Sequence, residues 1–153
     1  MTTELIKVSS LNIYLLEHIM DMIYEEWGKT FSSSKEDKLL KLKTPIVNGE
    51  MFPEAYVLKE GNEIIGSFLL LEHELKDCDL SPFLACVVIN KKYRGQGYGN
   101  VLLSHIKSII ENGFDKVYLT TEHVGFYEKI GFELIEIIGN NGKNNRLYCK
   151  VVK

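Results

Sequence analysis

The residues best suited to chemistry lie in one stretch, Val87-Val88-Ile89-Asn90-Lys91-Lys92-Tyr93-Arg94-Gly95-Gln96-Gly97-Tyr98-Gly99-Asn100. An apolar strand runs out into a loop with alternate glycines, and helical periodicity begins inside that loop. Amides at a helix N-terminus lack intrahelical acceptors and the dipole there is positive, so such a loop is an anion site, usually for phosphate. Glycine keeps side chains away from the amides and tolerates positive φ. Arg94, Lys91 and Lys92 add positive charge beside it. Two phosphate patterns fail. The P-loop spacing is absent, and the dinucleotide pattern meets Asn100 where its third glycine is required. A lone glycine triplet is ordinarily a tight turn. The preceding arginine, the buried strand and the helix behind shift this one towards phosphate.

The elements that must position this loop follow from periodicity. Phe83 to Ile89 is apolar without alternation, as in a strand buried on both faces. The helix after the loop runs to about Asn112, with Val101, Leu102, Ile106, Ile109 and Ile110 inward and Gly113 as its C-cap. Upstream, a strand is expected near Leu5 to Val8. Asn12 is expected to cap a helix whose inward face is Ile13, Leu16, Met20, Ile23 and Trp27 and which Gly28 ends. A second short helix is expected over Lys35 to Lys43, broken by Pro45 and Gly49. Ala55 to Leu58 and Glu63 to Leu71 read as strands around a Glu60-Gly61-Asn62 turn, and residues 73–81 as a polar loop. Downstream, a strand over Val117 to Thr121 precedes a short helix from Val124 to Ile130, closed by Gly131. Strands over Phe132 to Ile138 and Arg146 to Val152 would flank a loop from Gly139 to Asn145. The expected fold is a mixed α/β domain of six or seven strands.

The chain of 153 residues fits one domain, residues 1–153. Its 45% hydrophobic and 25% charged content is that of a globular protein, not a disordered or fibrous one. Eighteen Lys plus Arg stand against 21 Asp plus Glu, a net charge of −3, so no nucleic-acid partner is expected. Cys78, Cys86 and Cys149 form no C-x-x-C pair, which argues against a disulfide framework or zinc site and for a reduced compartment. His18 and His105 lack ligand spacing, and no metal is expected. Without a signal-like N-terminus or a long apolar run, the expectation is a cytoplasmic protein with no membrane partner.

Two blocks carry a family resemblance. Arg94-Gly95-Gln96-Gly97-Tyr98-Gly99 is similar to the acetyl-CoA signature of the GNAT superfamily of N-acetyltransferases. Gly125-Phe126-Tyr127-Glu128-Lys129-Ile130-Gly131-Phe132 resembles that family's later Phe-Tyr-x-Lys-x-Gly-Phe segment. The blocks stand in the family's order and spacing, and the resemblance is good over roughly Phe83 to Glu136. It implies a mostly antiparallel sheet of six to seven strands flanked by helices. It also implies acetyl-CoA as co-substrate, its pantetheine on the backbone of Val87, Val88 and Ile89 and its pyrophosphate at Arg94, Gly95, Gln96, Gly97, Tyr98, Gly99 and Asn100.

Acetyl transfer to an amine needs a neutral nucleophile, a donor for the oxyanion and a proton for the thiolate. A backbone N–H at Val87 or Val88 could serve the oxyanion. The resemblance implies Tyr127 as general acid. A free alkylammonium has a pKa near ~10, so a base is wanted. Relatives often place a glutamate on the buried strand, but residues 83–89 contain no acid. The candidates are Glu72, His73, Glu74, Asp79, Glu122 and His123, with Glu72 and His123 preferred. Thr120 stands where many relatives carry an asparagine. Tyr24, Glu25, Glu26 and Trp27 could rim an acceptor site. Cys86 reads as a small buried hydrophobe. The resulting expectation is direct transfer to a primary amine, a small molecule rather than a protein, by a monomer or homodimer. The alternative is a non-catalytic acyl-CoA-binding module of the same fold.

Overall fold

A computed structural model describes residues 2–75, 77–140 and 143–152. Seven strands form one mixed sheet in the order β1-β2-β3-β4-β5-β7-β6. They are β1 (Thr3–Lys7), β2 (Glu54–Glu60), β3 (Glu63–Leu71), β4 (Phe83–Ile89), β5 (Lys116–Thr121), β6 (Glu133–Asn140) and β7 (Lys143–Val151). The helices are α1 (Leu15–Trp27), α2 (Lys35–Val47) and α3 (Tyr98–Gly113). Neighbouring pairs β1/β2, β2/β3, β5/β7 and β6/β7 are antiparallel, while β4 runs parallel to β5. The packing divides into two compact units, Met1–Leu70 with Cys86–Leu102, and Leu71–Ala85 with Leu103–Lys153.

In the first unit α1 buries Leu16, Ile19, Met20 and Ile23, the stripe that three-and-four spacing demands. The paired strands β2 and β3 supply Val57, Leu58, Ile65 and Leu70, and Tyr56 stacks on Phe68 with ring centroids 4.8 Å apart. Two details depart from the expectation. Asn12 is not the cap of α1. It lies in a 3-10 turn over Ser10–Asn12, where Ser9 is the cap and the Asn12 carboxamide oxygen accepts the Ser9 N–H at 2.6 Å. Pro45 does not break α2: it has no N–H for the carbonyl four residues back, but only Ile46 and Val47 of the helix follow it. The carbonyl of Pro45 accepts from the Glu50 N–H, and the Asn48 N–H bonds Thr44, so the end is satisfied.

The second unit is organised by register. The β4/β5 ladder comprises Phe83 with Tyr118 and Leu84 with Leu119. β7 lies on the other side of β5, with Leu147 opposite Thr120, Tyr148 opposite Leu119, Cys149 opposite Tyr118 and Lys150 opposite Val117. Strand alternation therefore sorts side chains onto two faces. One face carries Phe83, Tyr118, Thr120, Leu147 and Cys149. Leu75 and Leu80, from the loop before β4, pack onto the Phe83–Tyr118–Leu147 cluster of that face. The other face carries Leu119, Tyr148 and Lys150. β6 and β7 run further than expected, so Gly139, Asn140 and Lys143 to Asn145 of the foreseen loop are strand; residues 141–142 lie outside the described residues.

Candidate active site

The glycine loop lies in the first unit. β4 is followed by Asn90, whose backbone N–H donates to Ile65 O at 2.7 Å and whose carboxamide donates to Ile64 O at 3.2 Å. A 3-10 turn over Lys91–Tyr93 leads into the loop. Gly95 and Gly97 have φ of 78° and 87°, in the left-handed region, and a Cβ built on either would meet nothing within 4 Å. Conformation, not crowding, calls for glycine there. The surface above both residues is an open, side-chain-free cradle beside the first turn of α3. Tyr98 and Gly99, foreseen as loop, begin that helix. A phosphate fits the arrangement: backbone donors, a positive helix end and empty space.

The charges around the cradle are partly committed. Arg94 donates from Nη2 to Glu26 Oε2 at 2.6 Å and from Nε to Ile89 O at 3.0 Å. The guanidinium thus fastens the loop to the end of α1 and shares its charge with Glu26. Tyr98 donates its hydroxyl to Glu60, and Lys92 approaches Glu63 at 3.9 Å. Both carboxylates flank the β2–β3 turn, so that hairpin braces the loop from the other side. Tyr93 and Tyr98 meet edge to face at 6.1 Å.

β4 itself is shaped for close approach. Cys86 has φ of 52°, a left-handed kink inside a strand. The carbonyl of Val88 lies 2.6 Å from where a Cβ on Gly66 would stand. Only glycine at 66 lets β3 carry β4 in this position. Gly66 and Asn90 hold the strand but match no motif, so the sequence reading passed over both.

The candidate acid and the candidate bases lie in the second unit. Tyr127 opens a 3-10 turn, Tyr127–Ile130, and is 6% exposed. Its ring is wedged edge to face between Phe126 at 5.0 Å and Phe132 at 6.1 Å. Burial pushes its phenol above the ordinary tyrosine range, so the proton stays on through neutral pH. The turn is anchored at both ends. At its start Glu128 accepts the Gly125 N–H on Oε1 at 3.0 Å and the Tyr148 hydroxyl on Oε2 at 2.9 Å. Burial works against the Glu128 carboxylate, but these donors and Arg146 outweigh it and hold its pKa low. At its end Gly131 caps in the left-handed conformation, and Lys150 donates to Ile130 O at 2.5 Å while pairing with Glu111 at 2.9 Å.

The base candidates separate. Glu72 and His123 are exposed. His123 makes its contacts through backbone, its N–H to Thr121 Oγ1 at 3.1 Å and its carbonyl to Tyr148 at 3.4 Å. Glu74 is different. Thr120 Oγ1 donates to its Oε2 at 3.4 Å, and the protein mass around it raises its carboxyl to about 7, against a lowering effect of that hydrogen bond. The Glu72 and His123 residues stand exposed, and His123 reaches β5 through its backbone N–H alone.

A family model described as an acetyltransferase (GNAT) domain matches residues 53–134, more than half of the chain. The chain belongs to the GNAT acetyltransferase family. Solved structures agree in fold along its whole length. An acetyltransferase from Thermus thermophilus is 17% identical, with a TM-score of 0.66 and coverage of 99% of this chain and 98% of that one. An aminoglycoside 6'-N-acetyltransferase complexed with coenzyme A is 15% identical, with a TM-score of 0.70 and coverage of 97% and 96%. The ribosomal alpha-N-protein acetyltransferase RimL, also in complex with coenzyme A, is 13% identical, with a TM-score of 0.66 and coverage of 99% and 94%. At these identities the likeness is one of fold. In this GNAT protein the matched segment spans the cradle, β4, Glu74, Thr120 and Tyr127. Among the described residues no helix is long and apolar enough to cross a membrane.

Proposed function

We propose that this GNAT protein transfers acetyl from acetyl-CoA directly to a primary amine within a ternary complex. The observation that carries the reading is the open cradle over Gly95 and Gly97 at the start of α3. Amides of Gly95, Gln96, Gly97, Tyr98, Gly99 and Asn100 would hold the pyrophosphate, with Arg94 fixing the loop. Backbone groups of Val87, Val88 and Ile89, displaced by the Cys86 kink, would bind pantetheine and offer an N–H to the oxyanion. Tyr127 supplies the proton to the leaving thiolate, since burial keeps it protonated.

The acceptor is a small cationic amine in this reading. The net charge of −3 favours a cation. The acceptors named for the aminoglycoside enzyme and for RimL belong to those proteins. Residues 1–153 act as one domain in this reading, supported by β4 and α3, each of which continues from one unit into the other. The proposed state is a cytoplasmic monomer or homodimer.

Calorimetric titration with acetyl-CoA, with CoA, ATP and NAD as controls, tests the cofactor. A primary-amine panel with thiol release as readout tests the transfer. Binding restricted to acetyl-CoA and CoA, with turnover that Tyr127→Phe lowers far more than affinity, supports the reading. Binding without turnover of any amine favours an acyl-CoA-binding module. No binding refutes both.

A further inference from the structure

We infer that Glu74 is the general base, taking the proton from an alkylammonium acceptor on the sheet face opposite Tyr127. The inference rests on the acetyl-transfer reading and names the acceptor class and the residue that reading lacks.

The geometry comes from β5. Its last residue paired to β4 is Leu119, and Thr120 is the next. The Thr120 side chain lies on the face of Tyr118 and Leu147, and it is there that its hydroxyl meets Glu74. The Tyr127 turn is tied through Tyr148 and Lys150, the β7 side chains of the opposite face. Base and acid thus stand on two faces of the sheet, at the point where the β4/β5 ladder stops. Direct transfer needs this arrangement: the amine arrives from one side of the thioester and the sulfur departs towards the other.

Glu74 is also held in place. His73 on one side bonds Leu80 O through Nδ1 at 3.3 Å, and Leu75 on the other packs on the Phe83–Tyr118–Leu147 cluster. The titratable groups that the register puts on this face are Lys116, Tyr118, Glu133, Glu136 and Cys149. No charge contributes to the shift of Glu74, only burial and the Thr120 hydrogen bond. A base at about 7 is ~3 units below an alkylammonium, so about one contact in a thousand is productive, against one in a million for an ordinary carboxylate.

The step balances. Glu74 carboxylate takes one proton from R–NH3+. The amine lone pair forms the C–N bond at the thioester carbon and the C–S bond breaks. The thiolate takes the Tyr127 proton. The second ammonium proton leaves the new amide nitrogen and restores Tyr127, and Glu74 returns its proton to water. The net products are the amide, CoA thiol and one proton.

The test compares wild type with Glu74→Gln, Thr120→Val, Glu72→Gln and His123→Ala. Acetyl-CoA affinity is measured by calorimetry. The pH profile of kcat/KM is measured by thiol release with spermidine and tyramine, and the Glu74 carboxyl is titrated by carbon NMR. The expected wild-type profile rises with unit slope to a plateau above about 7. Glu74→Gln should keep acetyl-CoA affinity within twofold, lose ~100-fold or more in rate and lose that limb. Thr120→Val keeps the base but removes the hydrogen bond that lowers its pKa, so limb and NMR midpoint should both move up. Glu72→Gln and His123→Ala should keep the limb. A Glu74→Gln enzyme at wild-type rate, a limb lost in either of the last two variants, or no carboxyl titrating near 7 would overturn the inference. Absence of acetyl-CoA binding in wild type would instead refute the acetyl-transfer reading itself.

Discussion

Replacing Lys150 with methionine isolates the clamp under the Tyr127 turn. The side chain is 8% exposed and its ammonium makes two contacts, Ile130 O at 2.5 Å and Glu111 at 2.9 Å. Methionine keeps most of the apolar volume, so little packing is lost. The Ile130 carbonyl loses its donor, which costs ~1–3 kcal/mol when buried. Glu111 loses one partner but is 35% exposed and keeps Lys107 at 2.9 Å, so its share falls below the ~3–5 kcal/mol typical of a broken buried pair. A total near ~3 kcal/mol is expected, and at this chain length that lowers Tm by ~6–12 °C. The loss should depend on pH. Hydrogen bonds from Lys107 and then Lys150 depress Glu111 below its ordinary 4.5. A depressed carboxylate stabilises above its unfolded pKa, and that contribution vanishes as pH falls through the folded value. The gap between wild type and variant should therefore be widest at neutral pH and narrow below about 4.5. Differential scanning calorimetry from pH 3 to pH 8 measures it. A Tm within 2 °C of wild type at pH 7, or a gap that widens in acid, would refute the clamp. In function, acetyl-CoA affinity should hold while kcat falls, because the loosened turn carries Tyr127.

Three other substitutions test the cradle. Gly66→Ala puts a methyl 2.6 Å from Val88 O, so β4 must shift; a cost of ~1–3 kcal/mol is expected by thermal unfolding, together with weaker acetyl-CoA binding. Gly97→Glu places a carboxylate in the open cradle at φ of 87°; backbone strain of ~1–2 kcal/mol leaves it folded by circular dichroism, yet calorimetry should show no heat with acetyl-CoA. Glu26→Gln cuts an exposed ion pair worth ~1 kcal/mol or less and frees the Arg94 charge; acetyl-CoA should bind more tightly at low salt, with the gain vanishing at high salt.

The strand, loop and helix from Phe83 to Gly113 were legible because their signals are local: an unbroken apolar run, glycines, then spacing of three and four. The Tyr127 block stood out through its resemblance to the family's later segment, not through periodicity. What stayed hidden depends on partners far along the chain. Arg94 read as free charge for a phosphate, and nothing near it announces Glu26, 68 residues away. Gly66 read as one more strand residue until Val88 was placed against it. In sequence Glu72 and His123 are preferred over Glu74, yet all three are polar residues near strand ends and their types do not decide between them. Only the contact with Thr120, 46 residues on, separates Glu74 from the others.

The same reasoning explains why β7, which carries no motif, matters as much as the motifs. Its alternate side chains serve two faces. Leu147 belongs to the cluster on which the Glu74 loop rests, and Tyr148 and Lys150 hold Glu128 and Ile130 around Tyr127. One strand therefore supports both the proposed proton acceptor and the proposed proton donor. A lysine and a tyrosine two residues apart in a strand look like surface alternation in sequence. Here they are buried, at 6% and 1% exposure, because their polar ends meet carboxylates and a carbonyl of the turn they support. Register errors in β7 would thus damage base and acid together. A one-residue slip would send Tyr148 and Lys150 to the Glu74 face and remove both anchors of the Tyr127 turn. The bulge between Leu134 and Glu136 and the six-residue ladder to β5 are the features that oppose such a slip.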